Sequence, residues 1–448
     1  MGDFIGSVWW MIVSLGVLVT FHEFGHFWVA RRCGVKVLRF SVGFGKPLWM
    51  RRDRHGTEFA IAAIPLGGYV KMLDEREGEV HPAEREQAFN RKTVWQRIAI
   101  VAAGPIANLL LCMVMLWAMF VIGKQDYSAT VGRADGLAAA AGLVPGERIV
   151  RIDGRSVSSW SDASMQLTTA AMDRRDVQVL TAAEEGGNSE HTLRLSQLPA
   201  GFDERRVATL AGIGWQFMLQ PPVVDKVVAG SAADGVLKPG DRIVAIDGQP
   251  IRSAGEVPAQ LQALGTQGGT GMIEVAREDD RLALEIAPRK SPEGQWMLGV
   301  GFAATAAPAY DSRQQYGAFA AVPAAIRETG KMTADSLGMM RRMLTGQASV
   351  KNISGPVTIA RAANASAERG VDWFLYFLGL LSLSLAIINL MPIPILDGGH
   401  LLYYLIELVK GSPISERAMI AGQYVGLAVL AGLMGLAFYN DILGLVPR

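Results

Sequence analysis

Four apolar stretches limit what this chain can fold into. The windows 4–30, 98–122, 373–391 and 418–438 each have about the length of helix, roughly 20 residues, that crosses a bilayer. Glu23 is the only formally charged residue of the first window, and the second has none. In hydrocarbon every backbone N–H and C=O must be bonded within the protein, so such windows fold as helices. The reading is a multi-domain membrane protein with a four-span α-helical core. The first window does not read as a cleaved leader, because it is too long, lacks a basic start and has no small-residue cleavage site after it. Half of the residues are hydrophobic and 19% are charged, as a bilayer partner requires. A net charge of +1 gives no field that would hold nucleic acid, so none is expected as partner. The two cysteines, Cys33 and Cys112, lie beside or inside apolar runs and build no disulfide framework.

Basic residues orient the spans. Lys and Arg crowd the 31–97 connection, four of them in "ARRCGVKVLRF" directly after the first window, and the 392–417 connection carries Lys410 and Arg417. Cytoplasmic loops carry such an excess. Both termini and the long 123–372 segment then face outward. The expected order is a first span at 4–32, a cytoplasmic loop with a β-hairpin at 33–96, a second span at 97–122, the outward segment, a third span at 373–391, a connection at 392–417 and a fourth span at 418–438. The final "LVPR", 445–448, matches a thrombin recognition sequence and is set aside as a tag scar.

The outward segment contains a repeat. "VPGERIVRIDGRSV" at 144–157 matches "KPGDRIVAIDGQPI" at 238–251, an offset of 94. Each copy reads as a turn, a strand of period two and an Asp-Gly turn into the next strand. A small-residue helix precedes each copy, and a glycine-bearing strand follows, "LAGIGWQF" at 210–217 and "MLGVGF" at 297–302. The pair, 127–219 and 222–305, resembles tandem PDZ domains in the circularly permuted order of bacterial proteases. That resemblance implies capture of an extended peptide on a sheet edge, or exclusion of bulky chains. Beyond it, 311–346 has helical spacing, with Phe319, Val322 and Ile326 followed by Met339, Met340 and Met343. This is expected to be an amphipathic helical segment, lying on the membrane or packed in a core.

The first span ends in "HEFGH", with His22, Glu23 and His26. Residues i and i+4 share a helix face, so both imidazoles can reach one metal ion, and the glutamate beside the first can act as base. Polar groups inside a span are costly and mark function. Zinc suits imidazole and carboxylate ligands, and catalytic zinc keeps three protein ligands and an open fourth position. No further His or acid follows within the next turns. His191 falls in the outward repeat, and His55 and His81 fall in charged loop sequence. The better third ligand is Asp397 in "NLMPIPILDGGH", 389–400, where Pro392 and Pro394 break regular helix at membrane depth. His400 is expected to serve structure, and Asn108 to bond across helices without a catalytic role. The alternating stretches "RFSVGFGKPLWMRR" and "EFAIAAIPLGGYVKM" read as a membrane-associated β-hairpin, either a substrate-pairing edge or a cover over the site.

"HExxH" in the first span, "GPIAN" in the second and "LDG" near the third together resemble the site-2 protease family of zinc intramembrane metalloproteases. The resemblance covers essentially the whole chain. It implies a protease core in a bacterial inner membrane, with one zinc ion on His22, His26 and Asp397, Glu23 as base, and Asn389 with Pro394 contacting substrate. It also implies a site toward the cytoplasm and periplasmic PDZ domains. The implied substrates are single-span proteins such as an anti-sigma factor already trimmed outside, along with remnant signal peptides. Competing readings are a PDZ scaffold with a structural metal and a metal transporter. Transporters usually repeat their spans, and here only the extramembrane part repeats.

Overall fold

The computed structural model describes residues 2–445 apart from 77, 184–185, 200, 203, 216–219, 252, 268, 279, 292–293, 304–308 and 350–352. Two compact units are present, Met1–Gln125 with Arg313–Arg448, and Asp126–Ser312.

In the first unit, α1 (Gly2–Arg32) and α2 (Val94–Ile122) are the first two spans. At 31 residues, α1 is about 46 Å long, enough to cross a bilayer. α2 starts three residues before the expected boundary, because Thr93 and Gln96 form a capping box. After the second unit come α3 (Ala318–Leu344), α4 (Pro356–Arg369), α5 (Val371–Leu390), α6 (Asp397–Lys410) and α7 (Glu416–Leu445). α5 and α7 complete four helices of spanning length and composition.

Two sequence expectations need correction, and of two open readings of 311–346 one is chosen. The 392–417 connection is mostly α6, a helix of 14 residues. Leu396 stands at its N-cap position without a capping side chain, and the prolines break the chain only up to residue 396. α4 was not foreseen, because its buried side is Ala360, Ala363 and Asn364 rather than a stripe of large apolar residues. α3 does expose Phe319, Val322 and Ile326. Its other side, Ala321, Ala324, Ala325 and Met332, packs with Cys112, Leu116, Met119 and Phe120 of α2 and Leu383 of α5. It is therefore packed along the spans on one side, not merely laid on a surface. Of the expected tag scar at 445–448, Leu445 ends α7 and 446–448 lie outside the described residues.

α7 touches its own unit near its two ends. Toward its start, a Cβ at Gly426 would stand 3.3 Å from the backbone of Pro394 and Ile395, and Gly422 faces the Tyr403 hydroxyl. Toward its end, Asp441 accepts hydrogen bonds from the N–H groups of Gly355 (3.2 Å), Val357 (2.8 Å) and Thr358 (3.3 Å). A carboxylate from another helix thus satisfies the orphan donors of the α4 N-terminus.

The hairpin β1 (Val37–Arg52) and β2 (Glu58–Met72) is present, but more folded than expected. Residues 39–42 pair on one side with 58–61 and on the other with 68–71, while 49–52 pair with 58–61. Bent midway, the two strands make four ribbons. Gly43 and Gly67 lie at the bends with φ of 92° and 121°, a region that favours glycine.

The second unit contains one architecture twice. In the first module the strand order is Arg155–Ser156, Arg148–Ile152, Val177–Ala182, Asn188–Leu193, with helix Trp160–Met172. In the second it is Gln249–Pro250, Arg242–Ile246, Gly271–Arg277, Asp280–Ile286, with helix Val257–Gln267. Each has its own core, around Ile149, Leu167 and Val179 in one and Ile243, Leu261 and Val275 in the other. The Ile-Asp-Gly turns also agree. Asp153 (φ 48°) accepts from the N–H of Gln178 at 2.8 Å, and Asp247 (φ 52°) from that of Met272 at 3.2 Å. In each module a short strand pair completes the fold, Val131–Ala134 with Ile213–Trp215 and Val224–Val227 with Val300–Phe302. Phe217 of the expected strand lies outside the described residues.

Candidate metal centre

α1 carries His22, Glu23 and His26 within one turn near its C-terminal end. Asp397, the first residue of α6, is brought to them by the turn after α5. Glycines make that turn possible. A Cβ at Gly398 would lie 2.2 Å from the Met391 carbonyl oxygen, and one at Gly399 would lie 2.3 Å from that of Ile393. Any side chain there would push α6, and Asp397 with it, away from α5.

Three of the predicted residues converge. His22 Nε2 and His26 Nε2 are 3.2 Å apart, and Asp397 Oδ2 is 3.2 Å from the first and 3.5 Å from the second. Tetrahedral ligands at zinc bond lengths of 2.0–2.1 Å are separated by about 3.3 Å. The triangle of donor atoms therefore has the edges that a zinc ion requires. His26 Nδ1 lies 2.9 Å from the Ile100 carbonyl oxygen. A carbonyl only accepts, so Nδ1 carries the proton and Nε2 presents its lone pair to the triangle. Lone pairs aimed at one point from so close repel unless positive charge lies between them. Asp397 agrees with this. Burial pushes its carboxyl up, but the hydrogen bonding and charge that His22 and His26 offer it outweigh burial and hold it at about 2, so it is an ionised carboxylate. The donor set therefore fits zinc.

α2 forms the wall behind the histidines. At Gly104 a Cβ would stand 2.3 Å from His26 Nε2 and 2.9 Å from His22 Cε1, so only glycine leaves room for the rings. At Gly25 a Cβ would meet the Ala103 carbonyl oxygen at 2.2 Å, so α1 and α2 touch by backbone. Asn108 is fully buried, its amide 3.1 Å from His22 Nδ1, and Ser382 of α5 donates to its carbonyl at 2.7 Å. Ile100, Gly104 and Asn108 are spaced i, i+4, i+8 and so share one face of α2. Sequence reasoning noticed "GPIAN" but gave Asn108 no part in the site. The spacing was the available signal.

Glu23 stands beside the triangle, not in it. The Val70 backbone N–H of β2 donates to its carboxylate. A Cβ at Gly68 would come within 3.2 Å of Glu23 Cγ, so the Gly-Gly step lets the strand pass this close. Asn389 is half-buried in the last turn of α5, outside the donor cluster. Pro394 packs between Gly399 of α6 and Gly422 and Gly426 of α7. His400 is not in the cluster either. Its ring packs edge-on against Tyr403, and burial holds its imidazole below the ordinary value.

Residues 10–433 match the model of peptidase family M50. A Xylella fastidiosa (strain 9a5c) protein carried under a zinc metalloprotease name is 69% identical over 444 residues, spanning 99% of this chain and 100% of that protein. The regulator of sigma-E protease RseP of Escherichia coli (strain K12) is 41% identical over 443 residues, spanning 96% of this chain and 97% of that one. The protease RseP of Yersinia pestis is 42% identical over 444 residues, with the same two shares.

Proposed function

The chain belongs to peptidase family M50 and is a zinc intramembrane metalloprotease, and from that premise we propose that His22, His26 and Asp397 hold a single catalytic zinc ion with Glu23 as general base. The observation that carries this assignment is the triangle of donor atoms with edges of 3.2, 3.2 and 3.5 Å. A structural zinc site would close with four protein ligands. Among the described residues the cluster has three, with a carboxylate waiting beside them.

When bound, zinc supplies Lewis-acid chemistry at the scissile carbonyl and brings the deprotonation of water toward neutral pH. Glu23 takes the proton of the attacking water and delivers it to the departing amine. The Val70 N–H keeps that carboxylate aimed. Cleavage needs an extended peptide, because a helix hides its own peptide bonds. Residues 68–71 pair on one side with 39–42, and among the described residues no strand covers their other side, where Glu23 lies. A locally unwound substrate adds there as a further strand. Asn389 and Pro394, on the approach to Asp397, contact it.

The substrates we propose are single-span membrane proteins, of the anti-sigma-factor type and including remnant signal peptides. The chain resides in a bacterial inner membrane with both termini outward and its site toward the cytoplasm. The two repeated modules are PDZ domains on the periplasmic side that bind or exclude substrate ectodomains. The test is cleavage of a single-span substrate in vesicles by wild type and Glu23→Gln, with zinc content measured on both. Expected is full zinc in both and cleavage only by wild type. Equal cleavage would remove Glu23 as base, and loss of zinc in the variant would put Glu23 among the ligands instead.

A further inference from the structure

His22 and His26 differ in what holds their outer nitrogens. For His26 the partner is a carbonyl, which fixes the tautomer. For His22 it is the Asn108 amide, with Nδ2 at 3.1 Å from Nδ1. An amide nitrogen can only donate, and a ring nitrogen that accepts from it has no proton. The proton of the neutral ring would then sit on Nε2, the atom that faces Asp397 and His26, and His22 could not be a ligand. Meanwhile Asn108 Oδ1 is buried without a hydrogen-bond partner among the described residues. The two ends of an amide have nearly the same shape, and its hydrogen bonds decide which is which.

Both problems have one solution. We infer that Asn108 is a positioning residue whose Oδ1 accepts the Nδ1–H of His22, which obliges His22 to present the Nε2 lone pair to zinc. This rests on the reading of His22 as a ligand. The exchange of the two amide ends gives the orphaned acceptor a donor and sets both histidines in the same tautomer. One face of α2 then does three jobs at i, i+4 and i+8: the Ile100 carbonyl sets one ring, Gly104 makes room for both, and Asn108 sets the other. The Ser382 hydroxyl, donating to the backbone carbonyl of Asn108, ties that turn of α2 to α5. Outer partners of this kind typically change metal affinity by about 10–100-fold when lost.

The experiment measures zinc affinity by chelator competition on the purified full-length protein, with wild type, Asn108→Asp, Asn108→Leu and Asp397→Asn compared. Thermal unfolding of each zinc-free protein is recorded alongside. Aspartate is a pure acceptor and leucine is neither donor nor acceptor, while both are close to asparagine in size. Expected is affinity at or above wild type for Asn108→Asp, and about 10–100-fold weaker binding for Asn108→Leu with little change in zinc-free stability. Aspartate binding as poorly as leucine would mean that the amide donates, and the inference falls. Leucine at wild-type affinity overturns it equally. If Asn108→Asp does not fold, the leucine variant still decides, because a mere packing role would lower zinc-free stability rather than affinity. Failure of the site itself is separable: Asp397→Asn would then bind zinc as wild type does.

Discussion

Gly104→Ala puts one methyl group where the structure has least room for it. The new Cβ would lie 2.3 Å from His26 Nε2, 2.6 Å from His26 Cε1 and 2.9 Å from His22 Cε1. Non-bonded heavy atoms need about 3.5 Å, so either the rings or the helix must give by about 1 Å. The helix has little freedom to retreat. α1 and α2 touch by backbone at Gly25, and withdrawal of α2 would stretch the 2.9 Å bond from His26 Nδ1 to the Ile100 carbonyl. If the rings move instead, the displacement is several times the roughly 0.2 Å tolerance of a metal–ligand distance. Zinc affinity should fall by roughly a hundredfold, about 2.7 kcal/mol. Cleavage by the zinc-loaded fraction should fall by about the 100-fold that a 1 Å misplacement costs. The fold itself should survive, since alanine in place of glycine favours a helix by up to about 1 kcal/mol. Gly16→Ala is the control, because its Cβ would meet nothing within 4 Å. The assay pairs chelator competition with cleavage in vesicles and thermal unfolding in detergent. Gly104→Ala with zinc affinity and cleavage both within a factor of two of wild type would refute the reasoning. So would a variant that loses zinc only because it no longer folds.

Two further outcomes follow from buried charge. Arg97 at the start of α2 holds Glu407 of α6 through both oxygens, at 2.7 and 3.2 Å, and both side chains are nearly buried. Glu407→Gln leaves the guanidinium under-paired and should cost about 2 kcal/mol in detergent unfolding, between an exposed pair and the roughly 3–5 kcal/mol of a broken buried one, because some solvent reaches it. Adding Arg97→Gln should recover part of the loss, and a double variant no better than the single would argue against the pair. In the second repeated module, Asp241 is fully buried and bonded to Arg277 at 2.7 and 2.8 Å. Burial pushes its carboxyl up, but the guanidinium and the Lys238 N–H outweigh that and hold it below the usual value. A depressed carboxylate stabilises the fold fully above its unfolded value, near pH 4, and loses that contribution as pH falls through its folded value. Amide-exchange protection of strand Arg242–Ile246 should therefore be level down to about pH 4 and drop below it. A drop already complete at pH 5 would exclude Asp241 as its source.

How much of this site was legible depended on what each residue contributes. HExxH is readable because two imidazoles on one ion need a helical turn between them, and the residue types are rare inside a span. Asp397 could be reached because Pro392 and Pro394 mark broken backbone at membrane depth. The repeat was legible in register, since the positive-φ turns at Asp153 and Asp247 depend on the same Asp-Gly. α6 and α4 were missed for a common reason: nothing local marks them as helices. One starts in the middle of a proline- and glycine-rich turn, and the other buries alanines, so the contrast that drives a periodicity reading is absent.

The wall behind the histidines was hidden in another way. Its working parts are a backbone carbonyl that any residue at 100 would supply, the absence of a side chain at 104, and an amide at 108 whose type is equally common in helix contacts. None of the three declares chemistry by identity. What gives them meaning is that α1 and α2 approach until backbones touch, and that approach is itself set by Gly25 and Gly104. The proposed ligands belong to α1 and α6, but the histidine rings pack against α2. On that assignment a substitution in the second span should alter zinc affinity while leaving every proposed ligand in place, which is why affinity, and not ligand count, is the quantity that tests this architecture.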